Sequence, residues 1–104
     1  MGEFVLATRL HELKEEIGVC VTLNGKRVAL FRVADEVFAL NNVCPHEGGP
    51  LADGFVEDDA VMCPLHAWTF DLRTGRVISG GDESAESYPV RVDGDDVMVD
   101  VGDR

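Results

Sequence analysis

With twenty acidic against nine basic side chains in 104 residues, the chain carries a formal net charge of −11 at pH 7 and lacks the basic footprint that nucleic acid or an anionic membrane surface requires. Its 45% hydrophobic content excludes a disordered chain, and its length suits a single domain, 1–104, with one modest core. No stretch is apolar enough to span a bilayer, and the N-terminus has no basic start followed by an apolar run, so a soluble, cytoplasmic protein without membrane contact is expected.

Glu3 to Ala7 reads as a first strand. Arg9 to Glu16 is charged with Leu10, Leu13 and Ile17 at helical spacing, which suits a turn or short helix; His11 within it reads as a solvated surface residue. Val19 to Leu23 and Lys26 to Val33 flank Asn24-Gly25, a strong hairpin signal because both turn residues tolerate positive φ. Ala34-Asp35-Glu36 turns the chain into a strand at Val37 to Leu40. Gly54 to Glu57 and Ala60 to Met62 form a smaller hairpin around Asp58-Asp59. Thr69 to Leu72, a turn at Arg73-Thr74-Gly75 and Val77-Ile78 follow, and Ser79 to Ser87 reads as a polar loop. Tyr88 to Val92 and Val97 to Val101 make a last hairpin around Asp93 to Asp96. Strands recurring at this spacing without a long helical period indicate an all-β, antiparallel sandwich or barrel.

Two short runs stand out between these strands. Val43-Cys44-Pro45-His46-Glu47-Gly48-Gly49-Pro50-Leu51 holds a Cys-x-His pair, and Cys63-Pro64-Leu65-His66-Ala67-Trp68-Thr69-Phe70-Asp71 holds a Cys-x-x-His pair sixteen residues further on. Three cysteines are too few for a disulfide framework and point to metal instead, with Cys20, between Val19 and Val21, expected as a small buried hydrophobe. A tetrahedral zinc could take two cysteines and two histidines. The usual zinc spacing, however, keeps like ligands together, whereas each run here supplies one of each. That distribution suits a dinuclear centre with Cys44 and Cys63 on one iron and His46 and His66 on the other.

On these two runs the chain resembles the Rieske [2Fe–2S] ferredoxin-like family, and the resemblance extends from the first strand to Val101. It implies a fold of three antiparallel sheets, with a small cluster-binding subdomain at about 41–72 on a larger β base, one Rieske cluster per chain and ligands Cys44, His46, Cys63 and His66. Supporting roles fall to Gly48 and Gly49, which let the first loop turn sharply, to Pro45, Pro50 and Pro64, which restrict it, and to Trp68, which either shields the cluster or belongs to a docking surface. Phe70, two residues on, is expected in the core. The 79–87 stretch takes the place of the third loop that covers the cluster in this family, and its composition suggests a mobile cover.

Two ferric ions, two sulfides and two thiolates sum to zero charge, so reduction gives a monoanion, which places such centres at about −150 to +300 mV. In the respiratory-complex branch an extra cysteine in each loop forms a disulfide; Gly49 and Leu65 stand at those positions. Trp68 stands where that branch has a serine hydroxyl. Fewer donors to the cluster imply a potential near the low end of the window. Such a centre offers no open coordination site, so its work is single-electron, outer-sphere transfer. No catalytic site of the chain's own is expected, and Asp58-Asp59 and Asp95-Asp96 read as turn residues.

Val28 to Val33, Val37 to Asn42, His66 to Gly75 and Tyr88-Pro89-Val90 most resemble the small subunit of assimilatory NAD(P)H-dependent nitrite reductase, which implies a large partner subunit carrying flavin, an iron–sulfur cluster and sirohaem. The alternative is the ferredoxin of an aromatic-ring dioxygenase, partnered by a flavin reductase and a terminal oxygenase. A third reading is a metal-stabilised interaction module without redox activity.

Overall fold

The computed structural model describes residues 3–44, 49–65 and 67–102. Strand β1 (Phe4–Arg9) leads through a 3-10 turn at Leu10–Glu12 to β2 (Val19–Leu23), β3 (Lys26–Val33) and β4 (Glu36–Asn41). A second 3-10 turn, Leu51–Asp53, precedes β5 (Phe55–Glu57), β6 (Ala60–Met62), β7 (Thr69–Asp71) and β8 (Val77–Ser79). The chain closes with β9 (Ser87–Tyr88), β10 (Val90–Asp93) and β11 (Asp96–Asp100). These strands form three antiparallel sheets with orders β1-β11-β10, β2-β3-β4-β9 and β5-β6-β7-β8.

The turns follow from residue chemistry. Asn24 (φ 51°) and Gly25 (φ 81°) take the left-handed backbone of a two-residue hairpin turn, and Asp58 (φ 54°) and Asp59 (φ 62°) do the same between β5 and β6. The two aspartates are thus turn residues, as the sequence suggests. Asp95 serves the β10–β11 turn: its carboxylate accepts the His11 backbone N–H at 3.0 Å and lies 2.5 Å from His11 Nδ1. His11 is exposed, and this contact ties the first 3-10 turn to the last hairpin.

Val28, Ala29, Leu30 and Phe31 are all fully buried, although consecutive strand residues point to opposite faces. The middle sheet is therefore covered on both sides. Val28, Leu30, Val37 and Ala39 pack with Val97, Val99 and Tyr88, whereas Ala29, Phe31, Phe38 and Leu40 pack with Leu51, Val61, Phe70 and Leu72. The first cluster builds the base. The second joins the middle sheet to β5-β6-β7-β8, and Cys44 and Cys63 belong to it. Outside the core, Arg73 beyond β7 forms a two-pronged contact with Glu36 of β4 at 2.6 and 2.9 Å, linking the same two sheets at the surface.

Two expectations are corrected. Cys20 is exposed, because Val19, Val21 and Leu23 take the inward positions of β2 and the pleat puts Cys20 on the outer face with Thr22. The strand expected from Tyr88 to Val92 is two: β9 pairs with β4, and after Pro89, which has no N–H to give a ladder, β10 pairs with β11 in another sheet.

Candidate metal centre

Two side-chain amides fix where the first loop leaves β4. Asn41 Oδ1 accepts the Val43 N–H at 2.9 Å, a local turn that ends strand pairing. Asn42, only 5% exposed, holds both ends of the excursion: its backbone carbonyl accepts the Leu51 N–H and its side-chain oxygen the Ala52 N–H, each at 2.8 Å. Val43 and Pro50 pair across the loop, and the Cys44 N–H donates to Gly49 O at 2.8 Å. The chain on either side of 45–48 is thereby closed at its base.

The second loop connects β6 to β7. The Cys63 N–H donates to Trp68 O at 2.7 Å, and the Ala67 N–H returns to Cys63 O at 3.2 Å. Ala67 takes a left-handed backbone (φ 61°), which reverses the chain immediately before Trp68. The two loops then meet. A Cβ on Gly49 would lie 2.8 Å from Leu65 Cδ1 and 3.2 Å from Cys63 Sγ, so the bare glycine is what lets the first loop approach the second thiol. Where the respiratory branch of the resemblance has a disulfide, this chain has Leu65 lying on Gly49.

Cys44 and Cys63 are each 2% exposed and neither is in a disulfide. Burial of two reduced thiols in one apolar cluster, each at a hydrogen-bonded loop base, suits thiolate ligands of a metal group. Pro45, His46, Glu47, Gly48 and His66 lie outside the described residues, and among the described residues no three histidine, cysteine or acidic side chains gather as a metal site. Val43 and Leu65, about half exposed, give the two loops an apolar outer edge.

Trp68 and Phe70 point the same way, their ring centroids 6.4 Å apart. Phe70 is fully buried, while Trp68 is half-buried against the cluster that contains both thiols. The 80–86 segment comes to Trp68: its Gly80-Gly81 backbone lies on the indole. That segment is anchored further along, where Ser84 Oγ accepts the Val77 N–H at 3.0 Å and buried Ala85 donates to Gly75 O at 2.8 Å. Sequence reasoning marked Trp68 but missed the Asn41-Asn42 pair. The available signal was two amide residues between an apolar strand and Cys44, where such side chains cap backbone.

Residues 3–100 match the Rieske-like [2Fe–2S] domain. The chain belongs to that family. This Rieske chain is 36% identical over 100 residues to the ferredoxin component of the naphthalene 1,2-dioxygenase system of Pseudomonas aeruginosa, covering 95% of this chain and 96% of that protein. Among solved structures, a protein from Mycobacterium tuberculosis assigned as the NADH-dependent nitrite reductase small subunit superposes with a TM-score of 0.91 at 29% identity, covering 100% of this chain and 99% of that one. The ferredoxin of carbazole 1,9a-dioxygenase from Nocardioides aromaticivorans IC177 superposes with a TM-score of 0.88 at 30% identity, covering 92% and 95%. The three-sheet architecture is thus the Rieske-type fold, and the chain is an electron-transfer protein of the [2Fe–2S] class. No described helix is long and apolar enough to cross a membrane.

Proposed function

We propose that Cys44, His46, Cys63 and His66 hold one Rieske [2Fe–2S] cluster, and that the chain works in the cytoplasm as the ferredoxin of an aromatic-ring dioxygenase system. The cluster supplies one-electron redox chemistry. The protein's own part is to bury the two thiol ligands, exclude water from that side and present apolar Val43 and Leu65 beside the ligand loops to a partner. In this reading a flavin reductase delivers the electron and a terminal oxygenase receives it.

One observation carries the choice: the 36% identity to a dioxygenase ferredoxin runs over nearly the full length of both chains. Motifs alone put the nitrite reductase small subunit first. That second reading keeps one support, the TM-score of 0.91 to such a subunit.

Reconstituted protein added to the reductase and oxygenase of a naphthalene dioxygenase system, in place of that system's ferredoxin, should support naphthalene oxidation. Failure there, together with stimulation of NADH-dependent nitrite reduction by a sirohaem large subunit, would reverse the assignment.

A further inference from the structure

Trp68 and Gly80-Gly81 fit each other too closely to vary independently. A Cβ on Gly81 would overlap Cη2, Cζ2 and Cζ3 of the indole, and one on Gly80 would lie 2.7 Å from Cδ1 and 2.8 Å from Cγ. Gly80 also has φ +113°, a backbone conformation that other residues rarely adopt. The start of the 80–86 segment, Gly80-Gly81, is therefore packed against the ring. The ring in turn packs on the apolar cluster that buries Cys44 and Cys63, and the Trp68 backbone carbonyl accepts the Cys63 N–H. One side chain thus touches Gly80-Gly81 and the thiol-bearing core.

We propose that Trp68 is a positioning residue that seats the 80–86 segment over the thiol side of the cluster, excluding water there and holding the reduction potential low. This rests on the ligand assignment above. Adding one electron to a centre that is neutral with its two thiolates creates one net negative charge, and water stabilises that charge better than an apolar cover does. Removing the seat therefore favours the reduced form.

The test combines potentials with a double-mutant cycle. Trp68→Gly should move the reduction equilibrium about tenfold toward the reduced form, an upward shift of about 59 mV for one electron. It should also speed iron loss to a chelator several-fold. Trp68→Phe, which keeps an aromatic seat, should stay near wild type in both. The chain has one tryptophan, so its fluorescence reports the seat directly. In the reconstituted protein, Gly81→Ala should shift the Trp68 emission to the red and raise its acrylamide quenching. Gly81→Ala should lower Tm by about 5 °C or more in the wild-type background, and by little in the Trp68→Gly background.

Equal potentials for wild type and Trp68→Gly overturn the proposal, as does a Gly81→Ala cost that is the same in both backgrounds. A wild-type chain that loads no Rieske cluster overturns the ligand assignment and with it the claim on the potential. The fluorescence and Tm cycle then still decides whether the ring and the glycines interlock.

Discussion

At the scale of single residues, the metal loops are set by groups that are not themselves ligands. Gly49 has no side chain to hold it off Cys63 Sγ, and Leu65 fills the space beside it, so the loops contact one another through packing where the respiratory branch uses a covalent bond. Among the described residues, that packing and the hydrogen bonds at the loop bases hold them together. Cys63→Ser should abolish the visible absorbance of the reconstituted protein and lower its Tm, because ligand binding is part of the folding free energy of such a site. His66→Ala should likewise fail to give a normal spectrum; an unchanged one removes His66 from the ligand set. Asn42→Ala leaves the Ala52 N–H without its side-chain acceptor in a buried setting, which costs about 1–3 kcal/mol. Urea unfolding of the variant should show that loss, with faster cluster release. Unaltered cluster retention would mean that the first loop keeps its shape without this amide.

At the scale of elements, hairpins were legible where a two-residue turn carries its own chemistry. Asn24-Gly25 and Asp58-Asp59 mark their turns by residue type, and the strands on either side follow to within a residue. Burial on both faces is harder to read. Val28 to Phe31 is as apolar as a middle-layer strand must be, but composition does not say which sheet covers each face. Cys20 and Tyr88–Val92 failed for related reasons: the first depends on the phase of a pleat, the second on a change of sheet at Pro89. The family was legible because metal chemistry dictates residue types and spacing such as those of the two Cys/His runs, and residues 3–100 match the Rieske-like [2Fe–2S] domain.

Contacts between elements were not legible, and Arg73–Glu36 is one that chemistry makes testable. The guanidinium hydrogen bonds hold the Glu36 carboxyl below its ordinary value of 4.5, against an opposing effect of desolvation. A carboxylate with a lowered folded-state pKa contributes stability above its unfolded value, and that contribution is lost as pH falls through the folded one. Glu36→Gln should therefore be less stable than wild type at pH 7, by a small amount suited to an exposed pair, and the difference should close below about pH 4.5. Asp95, lowered chiefly by its hydrogen bond from His11, adds acid sensitivity of the same sign at the base. A gap in Tm that is constant from pH 7 to pH 3 would show that the Glu36 contact contributes through packing instead.

At the scale of the whole molecule, the base and the β5-β6-β7-β8 sheet share the middle sheet as a common wall, so the first Cys/His loop hangs on β4, one of the two most buried strands described, and the second joins β6 to β7 in the sheet packed against it. Against that rigid frame the net charge of −11 acts at long range. Opposite charge on a partner would steer encounter without adding close contacts, and steering weakens as salt shortens the screening length from about 10 Å at 0.1 M to about 3 Å at 1 M. The second-order rate of electron transfer to a basic protein acceptor such as cytochrome c should therefore fall about tenfold or more between 10 mM and 500 mM salt. A neutral small-molecule acceptor supplies the control, because its rate should stay nearly flat over the same range. If both rates fall together, salt is acting on the cluster's potential; if neither falls, the acidity serves solubility alone and encounter is governed by the apolar edge at Val43 and Leu65.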